Sequence, residues 1–137
     1  MKRLSIALRK GLPLGLAMNV CGHLAFGMAG LLDAEMVSAR DFRPKDSAFP
    51  IATLSDHPLI VLQADSDEVL SALYSKARAE PEVVARLFGD IFFTGSVEQQ
   101  MTGIASVALG ELAIAGVALF GDKAVVSKLT RSLPLYD

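Results

Sequence analysis

Two pairs of polar residues stand out against an otherwise apolar chain, and each pair is spaced four apart. Asn19 and His23 lie in an uncharged stretch, so at helical spacing they share one face. An imidazole beside an amide can move a proton or hold the polar group of a ligand; it can equally be a hydrogen-bonded pair within an apolar helix. Asp90 and Thr94 run into Gly95 and Ser96, which brings a carboxylate, a hydroxyl and the first N–H groups of a helix to a place where an anion could be received. The same residues suit plain helix capping. Arg9 and Lys10 form a basic pair at the end of the first strand-like run, either holding a phosphate or carboxylate or ending a solvated loop. His57 precedes Pro58 at a turn and is expected to be exposed. Two histidines and one cysteine, none at close ligand spacing, give no expectation of a metal site. Glycine-rich phosphate loops, nucleophile elbows and dinucleotide fingerprints do not occur, so no cofactor is expected.

Those residues need a scaffold, and the composition bounds it. A chain of 137 residues, 52% hydrophobic and 20% charged, is long enough to bury one core and too apolar for disorder. One domain spanning 1–137 is expected. The single cysteine, Cys21, cannot form an intramolecular bridge and reads as a small buried hydrophobe in a reducing, cytoplasmic setting. A net charge of -2 gives no general attraction to nucleic acid or anionic membrane. Residues 12–32 could be tested as a signal peptide or membrane span. Asn19, His23 and four glycines argue against both, so no membrane partner is expected.

The pattern alternates strands with helices. Leu4, Ile6 and Leu8 alternate as a strand does, ending at Gly11-Leu12-Pro13. Residues 14–32, apolar on nearly every face, read as a buried helix whose glycines would let a sheet or a second subunit come close. Residues 33–57 read as a long loop with one edge strand, a lid or partner surface or simply a variable insertion. Residues 58–64 predict a strand buried on both faces, followed by a helix capped from Asp65-Ser66-Asp67. Pro81-Glu82 predicts a short helix through Val83, Val84 and Leu87 that ends at Gly89, residues 90–95 a short strand, and Ser96 with Gln99 a capping box opening another helix. Residues 112–120 predict a further strand and Asp122 the start of the last helix. The sum is an α/β fold, a mixed sheet with helices on both faces.

Several strings carry a resemblance. Arg9-Lys10-Gly11-Leu12 with Gly15 and His23, Leu62-Gln63-Ala64-Asp65, Asp90 with Thr94, and the ending 121–135 (GDKAVVSKLTRSLPL) resemble peptidyl-tRNA hydrolase II. They resemble still more closely the bacterial domain-of-unknown-function family numbered two thousand, which shares that fold. The resemblance covers nearly all of the chain outside 33–50. Its most specific part is the ending, where Lys128 and Thr130 stand two apart before leucines. It implies a four-stranded mixed sheet, helices on both faces and a homodimer. It also implies roles for Asp90, for Thr94 and for Thr102, which aligns with a second threonine of the hydrolase. Where the hydrolase has a lysine opening its first helix this chain has Leu16; a later glutamine is Val20; another lysine falls near Ala85, with Arg86 beside it as a candidate substitute. Leucine cannot supply the ammonium that would orient a tRNA phosphate or stabilise an oxyanion, and groups of that kind contribute on the order of 3 kcal/mol each. The resemblance therefore implies the fold without true peptidyl-tRNA hydrolase activity.

The expected function is that of a small-ligand-binding or regulatory module. Its pocket would lie between Arg9 and Lys10, the Asn19/His23 face, and Asp90 with Thr94, with Ser96 and Thr102 as further contacts. The alternative is a hydrolase of an ester or amide, with Asp90 as base or orienter, His23 as proton carrier and Thr94 as donor. His23 distinguishes the two: an enzyme requires it in a cleft and within hydrogen-bond reach of Asp90 or Thr94. Weak RNA binding is a third reading, for which salt-dependent tRNA retention is the test.

Overall fold

A computed structural model describes residues 1–137. Its centre is a four-stranded mixed sheet formed by β1 (Lys2–Arg9), β4 (Leu59–Ala64), β5 (Val84–Gly89) and β6 (Ile114–Asp122), in the order β4-β1-β6-β5. β1 runs parallel to β4, with Ile6 beside Val61, and antiparallel to β6, with Ile6 beside Ala118. Central β6 is buried along almost its whole length, and it reads as a continuous apolar run, as a strand covered on both faces should.

Each face of the sheet carries helices. Even-numbered residues of β1, Ile6 and Leu8, point to α1 (Leu14–Leu31) and pack with Ala17, Val20, Leu24 and Met28. Odd-numbered Ala7 points the other way, toward α3 (Asp67–Arg78) and α5 (Lys123–Leu129), where Leu70, Leu73, Ala77 and Val126 close a second core. The alternation of side chains along one strand thus builds two cores. Helix α1 lies close to the sheet at Gly116, where an added methyl would meet Val20 Cγ1 at 2.8 Å and Leu24 Cδ1 at 3.1 Å.

Local signals explain the helix ends. Ser66 accepts from the Val69 N–H and Asp122 from the Ala124 N–H, as N-caps do. Ser96 and Gln99 form the reciprocal capping box that opens α4 (Val97–Ala105).

Three segments differ from the sequence expectation. Residues 33–57 hold more structure than a loop with one strand: the short helix α2 (Ala34–Val37) and a two-stranded hairpin, β2 (Ala39–Phe42) with β3 (Ala52–Ser55). Residues after Pro81 form strand β5 rather than a helix. The Pro-Glu signal is local, whereas antiparallel pairing with β6 lets Val84 and Phe88 reach the α1 core and Ala85 the other, a tertiary gain that outweighs propensity. Residues 90–93 form a 3-10 turn, because the pairing with β6 shifts register at Phe88/Gly89 and ends there.

The two sheet edges differ. Along β4 the C-terminal segment adds main-chain bonds, Gln63 N–H to the Pro134 carbonyl at 2.8 Å and Tyr136 N–H to the Val61 carbonyl at 3.0 Å. The outer edge of β5 has no such cover.

Candidate functional site

A cleft of about 510 Å³ opens between α1 and the open edge strand β5, closed at one end by Phe92 of the 3-10 turn and by Gln100 of α4. That size suits a small organic ligand. Its floor is apolar: Leu24, Met28 and Leu31 come from α1, and Phe88 comes from β5. Phe88 also stacks obliquely on Phe93 at 5.2 Å and edge-on to Phe92 at 5.5 Å. Three polar side chains rim this aromatic floor: His23, Arg86 and Gln100.

Helix and strand geometry explain why these groups meet. His23, Gly27 and Leu31 follow one another at intervals of four along α1, so they share the flank turned toward β5. Arg86 stands between Val84 and Phe88 on the same side of β5, the side that faces α1. The His23 ring lies 6.0 Å from the Phe88 ring. One Arg86 Nη1 donates to the carbonyl of its neighbour Ala85 at 2.7 Å, leaving the other guanidinium N–H groups for a ligand. Gln100 uses its amide Nε2 to bridge the carbonyls of Thr94, at 3.1 Å, and Phe92, at 3.3 Å, so its Oε1 remains to accept.

The residues singled out in the sequence are placed as follows. Arg9 and Asp90 meet across the sheet end: Nη1 donates to Oδ1 at 3.0 Å and Nη2 to Oδ2 at 3.1 Å, while Nη1 also donates to the Ile114 carbonyl at 2.9 Å. This fork of parallel bonds ties the ends of β1 and β6 to the residue after β5. Side-chain exposures of 23% for Arg9 and 39% for Asp90 place the pair at the surface. Lys10 is exposed at the turn after β1. Asn19 is exposed on α1, one turn before His23 and outside the residues that line the cleft. Thr94 ends the 3-10 turn and contributes its carbonyl to Gln100. Ser96 is spent on the α4 cap, and Thr102 is exposed on α4. His23 therefore joins the cleft, while Asp90 turns to Arg9. His57 is half-buried rather than exposed, its Nε2 3.0 Å from the Met36 carbonyl and its ring edge-on to Phe120.

The profile of a family described as "Protein of unknown function (DUF2000)" matches residues 2–137. The chain belongs to the DUF2000 family. It is also similar to a solved structure of a protein of unknown function from Agrobacterium tumefaciens strain C58, at 20% identity and a TM-score of 0.84, over 99% of this chain and 98% of that one. That likeness speaks for a shared fold. A search of curated proteins returned no match.

Titration in this DUF2000 chain is perturbed away from the cleft. The Arg40 guanidinium, then the Ser38 hydroxyl, hydrogen-bond the Asp56 carboxylate and hold it below the ordinary carboxylate range, at 2.8 Å for Arg40 Nε. Partial burial pushes the Cys21 thiol up, which keeps it protonated and unreactive at neutral pH. Gln100 carried no sequence motif, and Arg86 was marked only by the resemblance, as a substitute for the lysine that falls near Ala85. Reading 84–88 as an alternating strand is the signal that would have set Arg86 beside Phe88.

Proposed function

We propose that this chain is a binding or regulatory module for a small apolar anion, an aryl carboxylate or phosphate by preference. In this reading it has the scaffold of peptidyl-tRNA hydrolase II without its activity, and it works in the cytoplasm. The observation that carries the proposal is the cleft itself: an aromatic and aliphatic floor beneath one guanidinium with no carboxylate partner, one imidazole and one amide oxygen. Apolar burial supplies affinity and the few polar groups supply orientation, the usual division in such sites. Arg86 anchors the anion through paired N–H groups and His23 can donate to it, while the Gln100 amide oxygen accepts only and suits a donor elsewhere on the ligand.

The hydrolase reading finds less support. Asp90 already accepts two bonds from Arg9, so its proton-accepting oxygens point at a cation rather than at His23. A base that orients a histidine must reach it. Leu16, where the resembling family places a lysine, brings no charge.

Isothermal titration with phenyl phosphate and 3-phenylpropanoate, against neutral 3-phenylpropanamide, tests the proposal. Binding of both anions, with the amide at least tenfold weaker, is expected. Arg86→Ala should lower anion affinity roughly tenfold to a hundredfold, as removal of a charged hydrogen-bond partner does. Equal affinity for acid and amide, or an Arg86→Ala variant that binds as wild type, would overturn it.

A further inference from the structure

The polar groups around the cleft ask for more than an acid. Arg86 and His23 can meet a carboxylate, whereas the Gln100 amide oxygen accepts only, so a ligand that engages all three carries an N–H donor as well. Beside them runs a row of main-chain groups. The Leu4 N–H bonds the Pro58 carbonyl and the Lys10 N–H bonds the Ala64 carbonyl, so the even-numbered residues of β1 turn their main chain to β4 and the odd-numbered ones to β6. Ser5 stands opposite Leu119, and Leu119 opposite Ala85. Because an antiparallel ladder alternates its bonded pairs, Leu119 is engaged by Ser5, and the N–H and C=O groups of Ala85 and Leu87 turn outward, to the open edge of the sheet. Arg86 Nη1 meets the Ala85 carbonyl there. A row of this kind is a template for one more strand.

The opposite edge shows what such a template takes. There the chain's own C-terminal segment lies antiparallel to β4, with Leu135 opposite Leu62 and the main-chain bonds of Gln63 and Tyr136 holding it. Tyr136 packs against the core on the α1 side, and the Asp137 N–H reaches Gln63 Oε1 at 3.5 Å. β5 offers matching parts: outward main-chain groups, an apolar cleft on the α1 side and the Gln100 amide oxygen, with a guanidinium in addition.

We propose, on the strength of the anion site assigned above, that β5 and the cleft together bind the C-terminal tail of a partner protein, ending in a large apolar side chain and a free carboxylate, as an added antiparallel strand. Main-chain bonds then supply affinity and the cleft supplies selectivity, as in other edge-strand recognition. Direction follows from the rim: Gln100 bonds the carbonyls of Phe92 and Thr94, beyond the end of β5, while Arg86 stands at its middle. A tail that gives an N–H to Gln100 and its carboxylate to Arg86 runs opposite to β5. Its penultimate residue exchanges both bonds with Leu87, and its last residue, opposite Arg86, turns its side chain into the cleft, since opposed residues share a face. Gly27 lines that space, and a methyl built on it would touch nothing, so bulk at Gly27 competes with the tail and not with the core.

The probes are acetyl-Ala-Ser-Ala-Phe, its C-terminal amide, a form N-methylated at the penultimate alanine, and 3-phenylpropanoate, titrated calorimetrically into the full chain. The peptide acid should bind roughly tenfold tighter than 3-phenylpropanoate, and amidation or N-methylation should each weaken it roughly tenfold. Amide exchange at Ala85 and Leu87 should slow when the peptide is present. Gly27→Leu should abolish peptide binding with thermal stability at or above that of wild type, leucine being the better helix former. An N-methylated peptide that binds like its parent, or a peptide no tighter than 3-phenylpropanoate, would overturn the added strand while leaving the anion site standing; failure of both ligands to bind would remove the two together. Protection at Leu87 that grows with protein concentration alone would give the edge to a second copy and equally overturn the proposal.

Discussion

Arg9 and Asp90 show how one contact can redirect a functional reading. In the sequence the two lie 81 positions apart and look like separate candidates, a cation for a ligand and a carboxylate for catalysis. Folding brings them together at the ends of β1 and β5, where each satisfies the other. Bonds of this charge-assisted kind are worth more than neutral ones, but partial exposure lets water and salt screen them. Asp90→Asn should therefore lower unfolding free energy by about 1 kcal/mol, a melting-point drop of a few degrees, while leaving aryl anion binding within twofold of wild type. Calorimetry and titration on the same sample check both halves. Loss of binding with stability intact would place Asp90 in the ligand site instead. Arg86 entered the sequence reading only as a stand-in for a lysine of the resembling family, because its place here comes from the floor it overlooks, and Phe88, Phe92 and Met28 arrive from three different elements.

At the scale of elements, the parts with local signatures were legible. Strand β1 alternates, α3 and α4 carry their caps next to their first turns, and Asp122 announces α5. Helix α1 ends within one residue of its expectation. Where pairing decides, local signals misled. Val84 to Phe88 has the composition of either element, and only the presence of β6 alongside makes it a strand. The hairpin of β2 and β3 belongs to the same class. Its strands are exposed along almost their whole length, so no buried face wrote a pattern into the sequence. Polar contacts hold it instead: Arg40 and Ser38 meet Asp56, and Asp41 accepts from the Thr53 hydroxyl at 2.7 Å. Asp56 is held below its ordinary range chiefly by Arg40, so the folded form binds that proton less readily than the unfolded chain. Its contribution is complete above the unfolded carboxylate value and is lost as pH falls through the lower folded one. Protection factors of the amides in residues 39–55, normalised to the intrinsic exchange rate at each pH, should fall on acidification through that window, and Asp56→Asn should remove that fall. Exchange that responds to pH equally in the variant would assign the effect elsewhere.

For the whole molecule, the two cores and the two unequal sheet edges set the stage for function. The C-terminal segment covers β4, so β5 is the edge that remains open, and the cleft lies where that edge meets α1. The α/β class was readable because helix and strand periods alternate along most of the chain, whereas the number of strands in the mixed sheet was legible only through the family resemblance. The cleft was not, since it depends on how far α1 stands from an edge strand that the sequence disguised. The most direct test is a two-dimensional amide and methyl NMR titration of the full chain with phenyl phosphate. Shifts should concentrate at His23, Met28, Leu31, Arg86, Phe88 and Gln100, saturate with one affinity, and vanish in Arg86→Ala. Shifts centred on Arg9, Lys10 and Asp90, or spread over the surface without saturation, would contradict a ligand site between α1 and β5.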